Sequence, residues 1–204
     1  MVTGASRGIG KAIANELWDN GYSLILISIS DLKNVRNGFS VKANQNIYLY
    51  EVDITNDKDV DLIFKQLSKQ NININLLVNN AGTFNSGTAE LSTDALRHII
   101  NTNLVAAHNL VRHVLPAMKK AHDGYIINIG SIAGNNAISG IGGYSASKYA
   151  LRGLNDSLFK ELSPYGIKVT CISPSVTETT MVNDLPGFND GEKIQTQDIA
   201  KTVI

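Results

Sequence analysis

The sequence predicts an α/β fold, a doubly wound parallel sheet with helices on both faces, in three αβα layers that form a single domain. Short β-branched runs alternate with longer amphipathic stretches, the pattern of parallel strands joined by helices. Residues of special chemistry follow several of these runs directly, where the crevice of such a sheet lies. The length of 204 residues fits one domain.

Six strands are expected in chain order, at Met1 to Thr3, Leu24 to Ser28, Ile47 to Val52, Leu76 to Asn79, Tyr125 to Ile129 and Lys168 to Ile172. Helical patterns lie between them, near residues 9–20, 57–70, 93–120 and 144–162. Neither a Pro/Gly/Ser-rich linker nor a repeat of solenoid length divides the sequence.

Composition excludes several classes of protein. Hydrophobic residues make up 43% of the chain and charged residues 18%, which is typical of a folded globular protein rather than a disordered one. Eighteen basic side chains balance eighteen acidic ones, so charge gives no reason to expect nucleic acid or an anionic membrane as a partner. A single cysteine, short apolar runs and the lack of a secretory signal favour a cytoplasmic protein.

A glycine-rich segment follows the first strand. It reads Thr3-Gly4-Ala5-Ser6-Arg7-Gly8-Ile9-Gly10 and leads into a predicted helix, with the spacing G-x-x-x-G-x-G. Glycines allow a tight turn and close approach of the backbone to a pyrophosphate, and a helix N-terminus attracts phosphate. The alternative is an ordinary glycine-rich turn.

Two further segments follow predicted strands. Asp53 comes after the third strand, where a carboxylate can accept hydrogen bonds from an adenine amino group or can cap the next helix. The fourth strand ends in Asn79-Asn80-Ala81-Gly82, whose small residues let the backbone approach a ligand, although a plain turn explains them too.

Ser131, Tyr144 and Lys148 form the most specific group. Tyr144 and Lys148 are four residues apart at the start of a predicted helix and share one of its faces, and Ser131 follows the fifth strand. An unperturbed tyrosine has a pKa near 10. A neighbouring ammonium lowers that pKa towards the range in which tyrosine serves as an acid or base. The alternative is a solvated Tyr/Lys pair on an exposed helix.

These motifs, in this order, resemble those of the short-chain dehydrogenase/reductase family across nearly the whole chain, and the family has a Rossmann-like fold. The matching residues are Thr3, Gly4, Gly8, Gly10, Asp53, Asn79 to Gly82, Asn103, Ser131, Tyr144, Lys148, Pro174 and Thr179.

The resemblance implies catalytic roles for four residues. Tyr144 would be the general acid or base, and Lys148 would lower the pKa of Tyr144 and bind the nicotinamide ribose. Ser131 would hydrogen-bond the substrate oxygen, and Asn103 would hold a water in a proton relay to Lys148. Hydride passes directly between nicotinamide and carbon, so no metal is expected. The four histidines, without ligand spacing or carboxylate partners, are expected at the surface or in packing: His98, His108, His113 and His122.

By the same resemblance a nicotinamide dinucleotide would contact Gly4, Ser6, Arg7, Gly8, Ile9, Gly10, Ile29, Asp53, Ile54, Asn80, Ala81, Gly82, Tyr144, Lys148, Thr177 and Thr179. The sequence departs from the family after the sixth strand, where Pro174-Ser175 replaces the usual Pro-Gly. This departure weakens the assignment of individual contacts there, but not the cofactor class.

The end of the second strand favours NADP(H) over NAD(H). NAD binding calls for a carboxylate there, and the matching position is Ser28. Arg7 can pair with a 2′-phosphate, and the hydroxyls of Ser28 and Ser30 can donate to it. Asp31 lies close to this strand end and can supply a carboxylate, so NAD(H) is the alternative cofactor.

The short segment between Pro174 and Asp198 matches the family's substrate lid. It favours a small or medium carbonyl, alcohol or polyol substrate, with Phe84, Asn135, Ile141, Met181 and Leu185 as candidates for the pocket or for plain packing. The alternatives are a reductase of 3-oxoacyl thioesters on an acyl carrier protein and a catalytically idle NADP-binding sensor.

The resemblance also implies a homodimer or homotetramer assembled through the helices at 93–120 and 144–162. Ala146, Ala150, Leu154 and Leu158 form an apolar stripe on the second helix, although packing on the sheet needs such a stripe too. Strands usually have about five or six residues, so the short first strand and the missing seventh strand suggest a natural protein longer than this chain.

Overall fold

The computed structural model describes residues 1–30, 32–40, 42–179 and 193–204. Its strands are β1 Val2–Thr3, β2 Leu24–Ser28, β3 Ile47–Glu51, β4 Leu76–Asn79, β5 Gly124–Ile129 and β6 Ile167–Ile172. They form one six-stranded sheet in the order β3-β2-β1-β4-β5-β6, and every paired strand is parallel. The order reverses beside β1, so the crevice of the sheet opens beyond the carboxyl ends of β1 and β4.

The α-helices are α1 Gly8–Asp19, α2 Lys33–Arg36, α3 Asp57–Lys69, α4 Thr93–Ile100, α5 Ala106–Ala121, α6 Gly142–Leu162 and α7 Thr196–Lys201. Short 3₁₀ turns lie at Ile132–Gly134 and Ser163–Tyr165, and a π-helical turn spans Asn101–Val105. Among the helices in the described residues, none has both the length and the apolar character that a membrane crossing requires.

Alternating residues of β2 show why the fold has three layers. Leu24 and Leu26 belong to the apolar cluster that includes Ile13 and Leu17 of α1. Ile25 and Ile27 point the other way, into the cluster formed with α3, α5 and α6. Every residue of β2 is buried, as expected for a parallel strand covered on both faces. The predicted Rossmann-like architecture is confirmed.

The start of α3 shows how local sequence sets a helix boundary. The Asn56 side chain accepts a hydrogen bond from the backbone N–H of Lys58 at 3.2 Å and so caps the helix. Asp57 and Asp59 lie in the first turn and Lys69 in the last, where their charges favour the helix dipole.

The helix expected over residues 93–120 is not continuous. It consists of α4, the π turn at Asn101–Val105 and α5. A π turn takes in one extra residue, which changes the direction of the side chains within it. The side chain of Asn103 in this turn is 2% exposed and bonded to the loop after β4, as described below.

Candidate functional site

Two cavities lie at the carboxyl edge of the sheet and meet at Tyr144. The long cleft, about 330 Å³, follows the ends of five adjacent strands from β3 to β5. The apolar pocket, about 120 Å³, lies between the 3₁₀ turn after β5, the start of α6 and the segment after β6. Four residues line both cavities: Ile9, Gly130, Tyr144 and Thr179.

Most of the residues expected to bind a dinucleotide line the long cleft. They are Gly4, Ser6, Arg7, Gly8, Ile9, Ile29, Asp53, Ile54, Asn80, Ala81, Gly82, Tyr144, Lys148 and Thr179. Gly10 and Thr177 are not among its lining residues. Thr177 lines the apolar pocket instead, and its hydroxyl donates to the carbonyl of Ser175 at 2.9 Å.

The glycine loop is shaped by close backbone packing. Gly4 has φ +63°, a conformation that L side chains rarely adopt. A Cβ on Gly10 would lie 2.3 Å from the carbonyl oxygen of Gly4, so a side chain there would push α1 away from the loop. Arg7 is the N-cap of α1, and its side chain makes no capping hydrogen bond. Gly8 and Ile9 of the first turn of α1 line the long cleft, so the N-terminus of α1 presents backbone N–H groups there of the kind that can bind an anion.

The loop after β4 is tied to the loop after β1. The Thr3 hydroxyl oxygen accepts from the backbone nitrogens of Asn80 and Ala81, each at 3.0 Å. The Asn80 amide nitrogen donates to the carbonyl of Thr3 at 2.8 Å. These bonds hold the two walls of the cleft at a fixed spacing.

Three serines meet at the end of β2. Ser28 donates to the hydroxyl of Ser6 at 3.0 Å, and the hydroxyl of Ser30 lies within hydrogen-bonding distance of both. Ser6, Ser28 and Ser30 all line the cleft, beside exposed Arg7. Asp31 lies outside the described residues.

Asp53 does not cap α3, because Asn56 holds that position. One carboxylate oxygen of Asp53 accepts from the backbone nitrogen and the hydroxyl of Thr55, each at 2.8 Å. The residue is exposed and lines the cleft. It therefore combines a local turn with a carboxylate available to a ligand.

Tyr144 and Lys148 adjoin on the face of α6 that is turned towards the sheet. The Lys148 ammonium lies 5.7 Å from the centre of the Tyr144 ring. It donates to the carbonyl of Ile129 at 2.8 Å, and the lysine is only 5% exposed. The ring of Phe84 stands edge-on to that of Tyr144, with centroids 5.2 Å apart.

Ser131 lines the apolar pocket at the start of the 3₁₀ turn after β5. Its oxygen accepts from the backbone nitrogen of Ala133 at 3.1 Å, as the cap of the 3₁₀ turn. Because this bond uses a lone pair, the hydroxyl hydrogen is left to donate into the pocket that Tyr144 also lines.

Asn103 lines neither cavity but connects their walls. Its side-chain oxygen accepts from the backbone nitrogen of Thr83 at 2.8 Å, and its amide nitrogen donates to the Thr83 carbonyl at 3.0 Å. The same nitrogen donates at 2.9 Å to Ser147, whose hydroxyl donates to the carbonyl of Tyr144 at 2.7 Å. Asn103 thus links the loop after β4 to α6.

Sequence reasoning did not identify His98 and Thr102 as cleft residues. Both line the long cleft, one helical turn apart. Within the described residues the buried hydroxyl of Thr102 has no hydrogen-bond partner. An unpartnered polar atom in a cleft that has glycine walls and a helix N-terminus fits a polar ligand such as a dinucleotide. The signal in the sequence that points to Thr102 is its position directly before Asn103.

The expectation that no histidine has a carboxylate partner is wrong for His113. Its Nε2 lies 3.1 Å from a carboxylate oxygen of Asp61, and its ring stacks on that of Phe64 at 4.4 Å. This contact joins α5 to α3, away from both cavities. Across the described parts of the chain, no group of three or more His, Cys, Asp or Glu residues is placed to hold a metal.

The candidates for the substrate pocket divide into three sets. Phe84 and Ile141 line the apolar pocket. Asn135 does not. Its side-chain oxygen accepts from Arg152 at 2.7 Å, and its carbonyl accepts from the hydroxyl of Tyr149 at 2.6 Å. Met181 and Leu185 lie outside the described residues.

The comparisons with known proteins agree on one family. The family model described as short chain dehydrogenase matches residues 1–189. A 3-ketodihydrosphingosine reductase of Bacteroides thetaiotaomicron is 34% identical over 199 residues, which cover 93% of this chain and 70% of the relative.

Solved structures have the same fold. A 4-hydroxyisoleucine dehydrogenase mutant complexed with NADH and succinate superposes with a TM-score of 0.90 and 27% identity, over 100% of this chain and 88% of that one. ElxO with NADP bound gives a TM-score of 0.86 and 28% identity, over 98% of this chain and 87% of that one.

Proposed function

The chain belongs to the short-chain dehydrogenase/reductase family and is an oxidoreductase, and from this we propose that it interconverts a small or medium carbonyl compound and its alcohol with NADP(H). The observation that carries the proposal is that the long cleft and the apolar pocket meet at Tyr144, with Lys148 beside it. When bound, the nicotinamide ring supplies or accepts the hydride.

The chain's own residues would hold the dinucleotide along the long cleft. The N-terminus of α1, with Gly4 and Gly8 at positive φ, offers backbone N–H groups and close approach to the phosphates. Asp53 would accept from the adenine amino group, and Lys148 would bind the nicotinamide ribose. Thr102 supports this arrangement because its buried hydroxyl lacks a partner among the described residues.

We assign acid–base chemistry to Tyr144. In the reducing direction its phenol would protonate the carbonyl oxygen, and in the oxidising direction its phenolate would remove the alcohol proton. The ammonium of Lys148, 5.7 Å from the ring centre, stabilises the negative charge on that oxygen. Ser131, which lines the same pocket, would donate to the same substrate oxygen.

Asn103 acts through the residues that it binds. Its side chain holds Thr83 and Ser147, so the loop after β4 and the start of α6 keep their spacing. A Cβ on Gly82 would lie 3.2 Å from the Asn103 oxygen and 3.8 Å from the Lys148 nitrogen, so Asn103 and Lys148 border the same small space. A water held in that space would relay protons to Lys148.

The preference for NADP(H) rests on the end of β2. Ser28 stands where an NAD-binding chain would place a carboxylate, and Ser6 and Ser30 adjoin it. These hydroxyls and the guanidinium of Arg7 form a surface that accepts a 2′-phosphate without charge repulsion. Separate fluorescence titrations with NADPH and NADH test the preference, and tighter binding of NADH would contradict it.

The test of the proposed reaction is NADPH consumption with a panel of aldehydes, ketones, sugars and thioesters. We expect consumption with at least one class of carbonyl, together with the matching alcohol as product. A chain that binds NADPH but consumes it with none of these classes would be better described as a sensor.

A second candidate is reduction of the keto group of a long-chain lipid base. It is supported by the 34% identity to a protein named 3-ketodihydrosphingosine reductase. Faster turnover of 3-ketodihydrosphingosine than of short ketones would favour it.

We also propose that the chain is one dinucleotide-binding domain and assembles as a homodimer or homotetramer in the cytoplasm. Leu154 and Leu158 of the apolar stripe on α6 do not support a contact between subunits, because they pack into the core. Tyr149 and Phe159 of α6 and Val105 of the π turn are exposed apolar side chains, and they are better candidates. Light scattering of the purified protein would measure the number of copies.

A further inference from the structure

The polar side chains of the apolar pocket are those of Ser131 and Tyr144, together with three hydroxyl residues of the segment after β6, which are Ser175, Thr177 and Thr179. Its described wall contains no Lys, Arg, His, Asp or Glu. Ser131 and Tyr144 are the polar residues that the proposed reaction uses. The Thr177 hydroxyl already donates to the Ser175 carbonyl, so its hydrogen is not free for a ligand.

Apolar side chains make up most of the remaining wall. Phe84 lies edge-on to Tyr144, and Ile138 and Ile141 lead into the first turn of α6 that carries this tyrosine. Ile132, Pro174 and Val176 also line the pocket. A substrate whose oxygen meets Tyr144 and Ser131 therefore places its neighbouring group against hydrocarbon.

We propose, on the basis of the function proposed above, that the substrate is a ketone or secondary alcohol with an uncharged, apolar substituent beside the reacting carbon. The substituent occupies the wall formed by Phe84, Ile138 and Ile141. At about 120 Å³ the pocket is slightly smaller than an engineered apolar cavity of about 150 Å³ that holds benzene. Alkyl groups of a few carbons or one phenyl ring match this space.

The physical reason for the preference is desolvation. A hydroxyl or carboxylate that enters the wall formed by Phe84, Ile138 and Ile141 loses its hydrogen bonds to water, and none of these three side chains can replace them. A methylene in the same place gains about fourfold in affinity from leaving water. Sugars, polyols and keto acids are therefore disfavoured as substrates.

Matched pairs of ketones test this inference. Methyl propyl ketone and 4-hydroxybutan-2-one differ by a methyl against a hydroxyl, and methyl isoamyl ketone and levulinate differ by an isopropyl against a carboxylate. We expect kcat/KM to favour the apolar member about tenfold or more in the first pair and about 100-fold in the second. Equal or reversed values in both pairs would overturn the inference.

A variant of the wall tests whether Ile138 makes the contact. Ile138 is half-buried, and Ile138→Thr brings a hydroxyl into the pocket at little cost to folding. The ratio of kcat/KM within the first pair should fall at least threefold. The exposed Leu62 of α3 gives the control, since Leu62→Thr should leave the ratio unchanged. An unchanged ratio in Ile138→Thr would contradict the assignment of this wall.

Different results would contradict the proposed substrate class and the proposed function. Reduction of polar ketones in preference to apolar ones would overturn the substrate class and leave the proposed function standing. Binding of NADPH by fluorescence without reduction of any member of either pair, or of any carbonyl in the wider panel, would overturn both.

Discussion

Asn128 of β5 donates a hydrogen bond to Asn155 of α6 at 3.0 Å. The carbonyl of the next residue of the strand, Ile129, accepts a hydrogen bond from Lys148. Asn79 of β4 donates to Asn128 at 2.9 Å, so three buried amides connect two strands to the helix. Lys148 and Asn155 lie two turns apart on one face of α6. The two contacts together fix where Lys148 and Tyr144 stand along β5.

Substitution of Asn155 tests this anchoring. Asn155→Leu leaves the amide of Asn128 without its acceptor, which costs about 1–3 kcal/mol in the free energy of unfolding. If Asn155 also positions Lys148, kcat will fall more than dinucleotide affinity, and the pH profile of kcat will shift. Ser157→Ala, two residues away on the exposed side of α6, is the control. Loss of stability with an unchanged profile would give Asn155 a structural role alone.

Arg7 should discriminate between the two dinucleotides. Arg7→Ala removes the guanidinium beside the serine cluster, so the Kd for NADPH should rise by about 10- to 100-fold, because a charged hydrogen bond is lost. The Kd for NADH should change by less than about threefold. Arg112→Ala on the exposed face of α5 should affect neither. Equal weakening of both dinucleotides would remove Arg7 from 2′-phosphate recognition.

Two glycines within helices provide a matched pair for the packing of the glycine loop. Gly10→Ala places a Cβ 2.3 Å from the Gly4 carbonyl oxygen, so we expect a loss of several kcal/mol in unfolding free energy and of dinucleotide binding. Gly153→Ala in α6 meets nothing within 4 Å and should stabilise the protein by up to about 1 kcal/mol. Thermal melts with and without NADPH measure both effects. A stable Gly10→Ala protein that binds normally would contradict the close approach.

The strands could be predicted because each is an apolar run bounded by polar or turn residues. The run Leu24 to Ser28 matches β2 residue for residue, and the predicted parallel sheet follows from the alternation of strands with helices. Glycines and small residues after β1 and β4 identified the cleft, because few other residues allow such close backbone approach.

Other features depend on contacts that sequence spacing does not encode. The π turn at Asn101–Val105 adds one residue within a continuous amphipathic pattern, which the helical period alone cannot show. His113 meets Asp61 only because α5 packs beside α3. Asn135, a predicted candidate for the pocket, does not line it, because its polar groups accept hydrogen bonds from Arg152 and Tyr149 of α6.

The acid–base role of Tyr144 is tested most directly by the rate of NADPH-dependent ketone reduction by Tyr144→Phe, measured beside the unmodified chain at saturating NADPH. The substitution removes only the phenolic hydroxyl, so NADPH should bind with nearly unchanged Kd. We expect kcat to fall by about 100-fold or more, the usual contribution of a general acid. A variant that binds NADPH and keeps its full kcat would show that Tyr144 is not the acid–base group of this site.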